Sequence, residues 1–241
     1  MTVEVVSVLC GGPGPQQSWA PDANPLIELD NSFDNRDNKY QPCLAYEDLF
    51  RTAVESESEV VIYIHDDVTI HDPLWIDRVT HLFNNPECVC VGLGGAVQLG
   101  SDDLYKTRYQ LRNLARQGYV SNQTDWQTHG ELEKGDRRVA VVDAFFMAVR
   151  TDFIRRCGGW PVNRLTHHCL DLWVACESAR FGKEVWMSGV SCTHHGGGSS
   201  TKPTYRQAKW LQGHTLEKDH QLPHRFLYEN YTDVLPIKVN Q

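Results

Sequence analysis

Two carboxylates stand side by side in Tyr63-Ile64-His65-Asp66-Asp67-Val68, directly after an apolar run that reads as a buried strand. Ligands of open α/β sheets gather outside the carboxyl ends of strands. Unpaired acids there repel each other, so a cation is their natural partner. Hard cations such as Mg²⁺ or Mn²⁺ take carboxylate oxygens and keep positions for phosphate oxygens. The same pair also reads as an Asx turn or as a helix cap ahead of Pro73. On the pair alone the two readings weigh equally.

A second group is Cys192-Thr193-His194-His195-Gly196-Gly197-Gly198-Ser199-Ser200, again just past a short apolar run. Imidazole ligates Mn²⁺ or Zn²⁺. Three glycines let backbone N–H groups approach an anion closely, and Lys202 and Arg206 follow within reach of a phosphate. The alternative is a surface turn with incidental histidines. A third group is His167-His168-Cys169-Leu170-Asp171-Leu172-Trp173. On a helix, Asp171 lies three and four residues from the two histidines, so all three share a face. An acid beside imidazole in a cleft serves as a general base. Standing alone, Asp171 reads as a first-turn acid that complements the helix macrodipole.

These groups need elements to hold them. Val3–Leu9 is a β-rich run ending in Gly11-Gly12-Pro13-Gly14, and Leu26–Leu29 is a short strand ending at Asp30. Helical spacing covers Cys43–Val54, Pro73 starts a helix over Leu74–Phe83, and Gly182 ends one over Leu165–Phe181. Buried strands are expected at Val60–Ile64, Cys88–Leu93 and Val139–Val149, the last containing Asp143, with short strands at Val185–Met187 and Val190–Thr193. Residues 101–138 read as mixed and partly helical, and residues 203–218 as a last helix. Short apolar strands alternating with helices predict an α/β fold, a mostly parallel central sheet with helices on both faces.

Composition narrows the functional classes. The 241 residues are 41% hydrophobic and 22% charged, ordinary globular usage. A net charge of −8 disfavours a protein coated in basic charge for nucleic acid. No stretch approaches the roughly 18 apolar residues of a membrane span, and the N-terminus has no cationic leader. Most of the eight cysteines sit in apolar runs, and Cys88-Val89-Cys90 without a matching pair is a weak zinc signal. A reducing, cytoplasmic compartment follows, in which the sequons at Asn122 and Asn230 stand idle.

The order of these motifs resembles the nucleotide-sugar glycosyltransferases of the GT-A fold, specifically those similar to glycosyltransferase family 2. The run VEVVSVL, with Val8, is similar to the first nucleotide-binding strand of that family. YIHDDV resembles its D-x-D segment with His65 in place of the first acid. VDAFFMAVRTDFIRRCGGWP resembles its acceptor-side strand, helix and Gly-Gly turn. HHCLDLWVACESARFGKEVW and CTHHGGGSS resemble its catalytic helix and its late His loop.

The resemblance implies a Rossmann-like GT-A domain over residues 1–241. Residues 1–100 would bind the donor, 101–200 would carry acceptor and catalytic groups, and 201–241 would form a helical tail. It implies that Asp67 binds the metal, with Asp66 near the metal or the ribose and His194 or His195 as the late metal-side histidine. It also implies that Asp30 contacts the nucleobase or ribose, and that Asp143 and Gly158-Gly159-Trp160 face the donor sugar and acceptor. Val8, Gly197 and Lys202 complete the nucleotide-sugar set. Cys169 occupies one of the family's acid positions on the catalytic helix, which leaves Asp171 as the base and His168 as its competitor.

Sugar transfer from a nucleotide diphosphate needs a divalent cation, Mn²⁺ or Mg²⁺, to neutralise the leaving diphosphate, and a base for the acceptor hydroxyl. The expected donor is a UDP-sugar. One base with no second nucleophile favours inversion. The acceptor side offers Arg108, Arg112 and Arg116, four apart on an expected helix face, interleaved with Tyr105, Tyr109 and Tyr119. They read as a solvated face or as a stripe for a phosphate-bearing acceptor such as a hydroxymethylated base in DNA. A glycan is the other acceptor. The competing classes are a non-catalytic metal or nucleotide-binding module and a sugar nucleotidyltransferase. The second is disfavoured because no cation accompanies Gly11-Gly12-Pro13-Gly14.

Overall fold

Strand β3 (Val60–His65) is the centre of the architecture. Its side chains alternate between two hydrophobic clusters: Val61 and Tyr63 enter one, and Val60, Ile62 and Ile64 the other. That is the period-2 signature of a strand covered on both faces. Each fully buried side chain of this size contributes ~1.5–3 kcal/mol, so burial on both faces makes β3, with the strands over Phe146–Arg150 and Cys88–Gly92, one of those that anchor the core. The computed structural model describes residues 1–9, 31–34, 42–65, 68–100, 116–121, 131–132, 135–165, 168–194 and 222–239.

Seven further elements lie in the first hundred residues. They are β1 (Val3–Leu9), β2 (Asn31–Asp34), α1 (Pro42–Glu55), β4 (Val68–Ile70) and α2 (Trp75–Leu82), followed by β5 (Cys88–Gly92) and β6 (Gly94–Leu99). Then come β7 (Arg116–Ser121), β8 (Glu131–Leu132), β9 (Arg137–Val139), β10 (Val141–Val142), β11 (Phe146–Arg150) and α3 (Thr151–Arg156). The chain continues through α4 (Leu170–Arg180), β12 (Glu184–Met187), β13 (Cys192–His194), α5 (Leu222–Asn230) and β14 (Ile237–Lys238).

The main sheet has seven strands in the order β2-β1-β3-β11-β5-β12-β9. The helical residues of α1, α3, α4 and α5 pack in the Tyr63 cluster, and those of α2 pack in the opposite one. Helices therefore cover both faces, as the strand–helix alternation predicts.

The expected mostly parallel sheet is corrected to a mixed one. Strands β2, β1 and β3 run parallel, as do β5 and β12, but β11 is antiparallel to both β3 and β5, and β9 is antiparallel to β12. The antiparallel strand β11 lies in the stretch that the sequence presents as one strand, Val139–Val149, whose first residue ends β9. Residues 143–145 break it into β10 and β11, so Asp143 lies in a turn. Strand β10 belongs to a second sheet, β10-β6-β7-β8, with β14 also on β6. Strand β10 is antiparallel to β6 and β11 to β5, and β5 leads into β6 through Leu93, so the chain keeps its direction across residues 143–145 and passes from the second sheet into the main one.

Other local expectations shift in the same way. The described parts of 101–138 are strands rather than helix, and Arg116 opens β7, so an arginine face shared through it by helical spacing does not exist. Arg108 and Arg112 lie outside the described residues, as do Leu26–Leu29 and the expected helix over 203–218. Helix α4 starts at Leu170, not Leu165, because Cys169 adopts φ 71° ahead of it. His168 is thus excluded from the helix that carries Asp171. Among the described residues no helix is long and apolar enough to cross a membrane.

The β6–β10 contact leaves no room for a side chain at Gly95, which pairs with Val142. A Cβ there would lie 2.2 Å from the Val141 carbonyl oxygen, whereas one at Gly135 meets nothing within 4 Å. Gly95→Ala should destabilise the protein by about 1–3 kcal/mol in urea unfolding. Gly135→Ala should stay at the wild-type midpoint.

Candidate active site

Three segments converge at the carboxyl end of β3. The first is His65 itself, whose backbone lies in register with Val8 of β1 and donates its N–H to the Phe145 carbonyl at 2.9 Å. The second is β13, which pairs antiparallel with β4 so that His194 stands opposite Val68. His65 and Val68 flank Asp66-Asp67 in sequence, so His194 is brought to the segment holding the acid pair. The third is the turn over residues 143–145.

The rings meet as the backbones do. His194 stacks on Phe145 with ring centroids 4.7 Å apart and planes inclined by 20°, and His65 meets His194 edge-on at 5.8 Å. Phe145 is fully buried, while His65 and His194 are half-buried. Strand β13 is held from outside as well: His71 donates its backbone N–H to the Ser191 carbonyl, and its Nε2 lies 2.8 Å from the Thr193 hydroxyl.

The 143–145 turn also reaches helix α4. Asp143 donates its N–H to the Gly94 carbonyl at 2.8 Å. The Ala144 N–H donates to Asp171 Oδ2 at 3.2 Å, and the Leu172 N–H donates to Asp171 Oδ1 at 2.8 Å. Asp171 is 4% exposed. Two N–H donors, one on each oxygen, fix the plane of the carboxylate. A first-turn acid at a helix N-terminus is also where the free N–H groups of the helix favour negative charge.

Behind β3 an aromatic cluster seats the Gly-Gly turn. Gly158 and Gly159 adopt φ +86° and +89°, conformations open to glycine. The next N–H, of Trp160, donates to Glu47 Oε2 at 2.8 Å, and the Trp160 indole N–H donates to the Tyr63 hydroxyl at 3.2 Å. Tyr63 stacks on Tyr46 at 4.3 Å. Sequence reasoning identified the Gly-Gly-Trp turn but missed Glu47 and Phe145. Glu47 carried no signal beyond its helical pairing with Arg51, and Phe145 looked like one more strand residue.

The sequence-derived set thus divides in two. Val8, Asp143, Asp171 and His194 lie around one strand end, with His168 half-buried just ahead of α4. Asp30, Asp66, Asp67, His195, Gly197 and Lys202 lie outside the described residues. Among the described residues no group of three His, Cys, Asp or Glu could hold a metal. Two imidazoles, His65 and His194, converge at the end of β3, the strand that Asp66-Asp67 follow in sequence.

Among the described residues the cysteines form no metal site of their own. A register shift between β5 and β12 inserts an extra residue at Val89. Cys88 consequently enters one hydrophobic cluster and Cys90 the other, as a β-bulge allows.

The residues with chemistry thus gather at the carboxyl end of a strand in an α/β sheet, the edge at which open α/β folds bind ligands. A family described as "Glycosyltransferase like family" matches residues 40–211, and the chain belongs to it; the protein is a glycosyltransferase. That membership sets aside the binding-module and nucleotidyltransferase alternatives. No curated protein matches the chain. Solved structures similar to it include the A197 protein from STIV, at 13% identity and a TM-score of 0.48, over 79% of this chain and 84% of that one. Another is GalNAc-T7 with UDP, GalNAc and Mn²⁺, at 9% identity and a TM-score of 0.47, over 80% of this chain and 44% of that one.

Burial pushes the Cys88 and Cys157 thiols up to about 12, and Cys43, Cys90 and Cys176 are raised by the same cause. Thiolate is the reactive form. Iodoacetamide at pH 8 should leave these five unmodified in the native protein and label them in urea, as peptide mass mapping would read.

Proposed function

We propose that this glycosyltransferase is a metal-dependent hexosyltransferase acting on a UDP-sugar, with inversion at the anomeric carbon, and that residues 1–241 work as one domain. The observation that supports the reading is the β4–β13 ladder, which sets His194 opposite Val68, the residue that follows Asp66-Asp67 in sequence. Asp67, Asp66, His194 and His195 would hold Mn²⁺ or Mg²⁺. When bound, the cation neutralises charge on the departing diphosphate. Val8 and Asp30 serve the nucleoside, Gly197 and Lys202 the diphosphate, and Asp143 the donor sugar.

The acceptor oxygen bonds to the anomeric carbon as the bond from that carbon to the diphosphate oxygen breaks. The electron pair of the breaking bond leaves with the diphosphate, and the acceptor proton passes to the base. Asp171 is the assigned base, because its contact with Ala144 joins it to the turn beside His65 and His194. One observation favours a second assignment, His168: both Asp171 oxygens already accept backbone N–H groups. For the acceptor, a glycan hydroxyl is favoured over DNA, since Arg116 begins a strand and the arginine stripe loses its helical spacing.

Calorimetry of Mn²⁺ and UDP-sugar binding tests the cation site. Asp67→Asn should abolish the metal-dependent part of donor affinity, and unchanged linkage would reject the site. Asp171→Asn should keep donor affinity and lose ~10²–10⁴-fold in transfer rate. In the pH–rate profile, an acidic limb in the carboxylate range supports Asp171. A limb near ~6.5, with transfer lost in His168→Ala and retained in Asp171→Asn, moves the base to His168.

A further inference from the structure

Phe145 has no polar side-chain atom to offer a sugar, a phosphate or a metal, yet its position is tightly determined. Its carbonyl accepts the His65 N–H, the preceding N–H is held by Asp171, and the following N–H donates to the Asp143 carbonyl at 3.3 Å. Its ring lies under the His194 imidazole, nearly parallel to it. We infer that Phe145 is a positioning residue that fixes the plane of the His194 imidazole for cation binding. The inference rests on the proposed role of His194 as a ligand.

The β4–β13 ladder sets where the His194 backbone lies, but it leaves the side-chain torsions to be decided. A ligating imidazole presents one nitrogen along a narrow cone, and a ring free to rotate spends little time in it. Metal-bound histidines are ordinarily oriented by a partner outside the coordination sphere. Here the face of Phe145 restricts tilt on one side, and the edge contact with His65 restricts it on another. Both rings are attached to backbone that is itself hydrogen-bonded, at the turn and at the end of β3. The face, not the volume, of residue 145 is what this role requires.

The competing role is core filling, since Phe145 also packs with Val68 and Leu93 in the α2-side cluster. A filler affects stability and leaves metal affinity alone. The discriminating experiment is a double-mutant cycle on the full chain, read by the electron paramagnetic resonance of free Mn²⁺ without donor, with thermal melts alongside. Phe145→Leu and Phe145→Met are both made, because the unbranched Met fills irregular space without an aromatic face and guards against a variant that fails to fold. Each should weaken Mn²⁺ binding about tenfold in the parent chain and add nothing once His194→Ala is present. Parent-like Mn²⁺ affinity in the Phe145 variants, with His194→Ala impaired, overturns the positioning role while the site stands. Equal losses with and without His194 also overturn it, as they mark a general packing defect. Parent-like affinity in His194→Ala rejects the ligand role itself, and the inference with it.

Discussion

Strand β11 runs against its neighbours, and the site depends on that direction. Being antiparallel to β3, it begins where β3 ends, so the turn that precedes it stands beside His65. Had β11 run parallel, residues 143–145 would lie at the opposite edge of the sheet. In the observed fold, three successive residues of this turn each make a different long-range bond. Asp143 reaches Gly94 of the second sheet, Ala144 reaches Asp171 of α4, and Phe145 reaches His65. Backbone polar groups taken out of water must find partners, and in this half-buried turn satisfying them joins both sheets to a helix.

Helix α4 supplies the other half of this junction, and it is buried along nine consecutive residues, Leu170–Ser178. A helix so enclosed can carry acids only where each is partnered. Asp171 is partnered by the turn. Near the other end, Glu177 accepts the Tyr231 hydroxyl, and Arg180 lies 4.1 Å over the Tyr231 ring while pairing with Glu177 and with Asp233. Burial, then the hydrogen bond to Glu177, raises the Tyr231 hydroxyl well above its ordinary value, so it stays a donor. The segment after α5 is thereby clamped onto α4, and the helix is tied at one end to the site and at the other to the end of the described chain.

Much of this was legible locally. The apolar run ending in His65-Asp66-Asp67 marked a strand end with chemistry on it, and Gly158-Gly159 marked a turn open to positive φ. Helical spacing over Cys43–Val54 matched α1 within a residue. The errors came where one pattern serves two structures. Val139–Val149 is apolar on both sides of Asp143, so a strand–turn–strand passage reads as one strand. The spacing of His167, His168 and Asp171 suits a helix, but the left-handed residue Cys169 begins the helix after the histidines.

The sequence by itself determined most element types outside residues 101–138, the sheet's two-sided cover and which residues carry side chains of a kind that handles a cation or a proton. Those follow from side-chain chemistry and from periods of two and 3.6 residues, which are local properties. Tertiary structure alone decided strand direction, the opposition of His194 and Val68, the seating of Phe145 beneath His194 and the capture of Asp171 by Ala144. A buried strand has the same apolar composition whichever way its neighbour runs. A carboxylate likewise carries no mark of the remote N–H it will accept. These choices are made when the whole chain satisfies its backbone polar groups and packs its core at once.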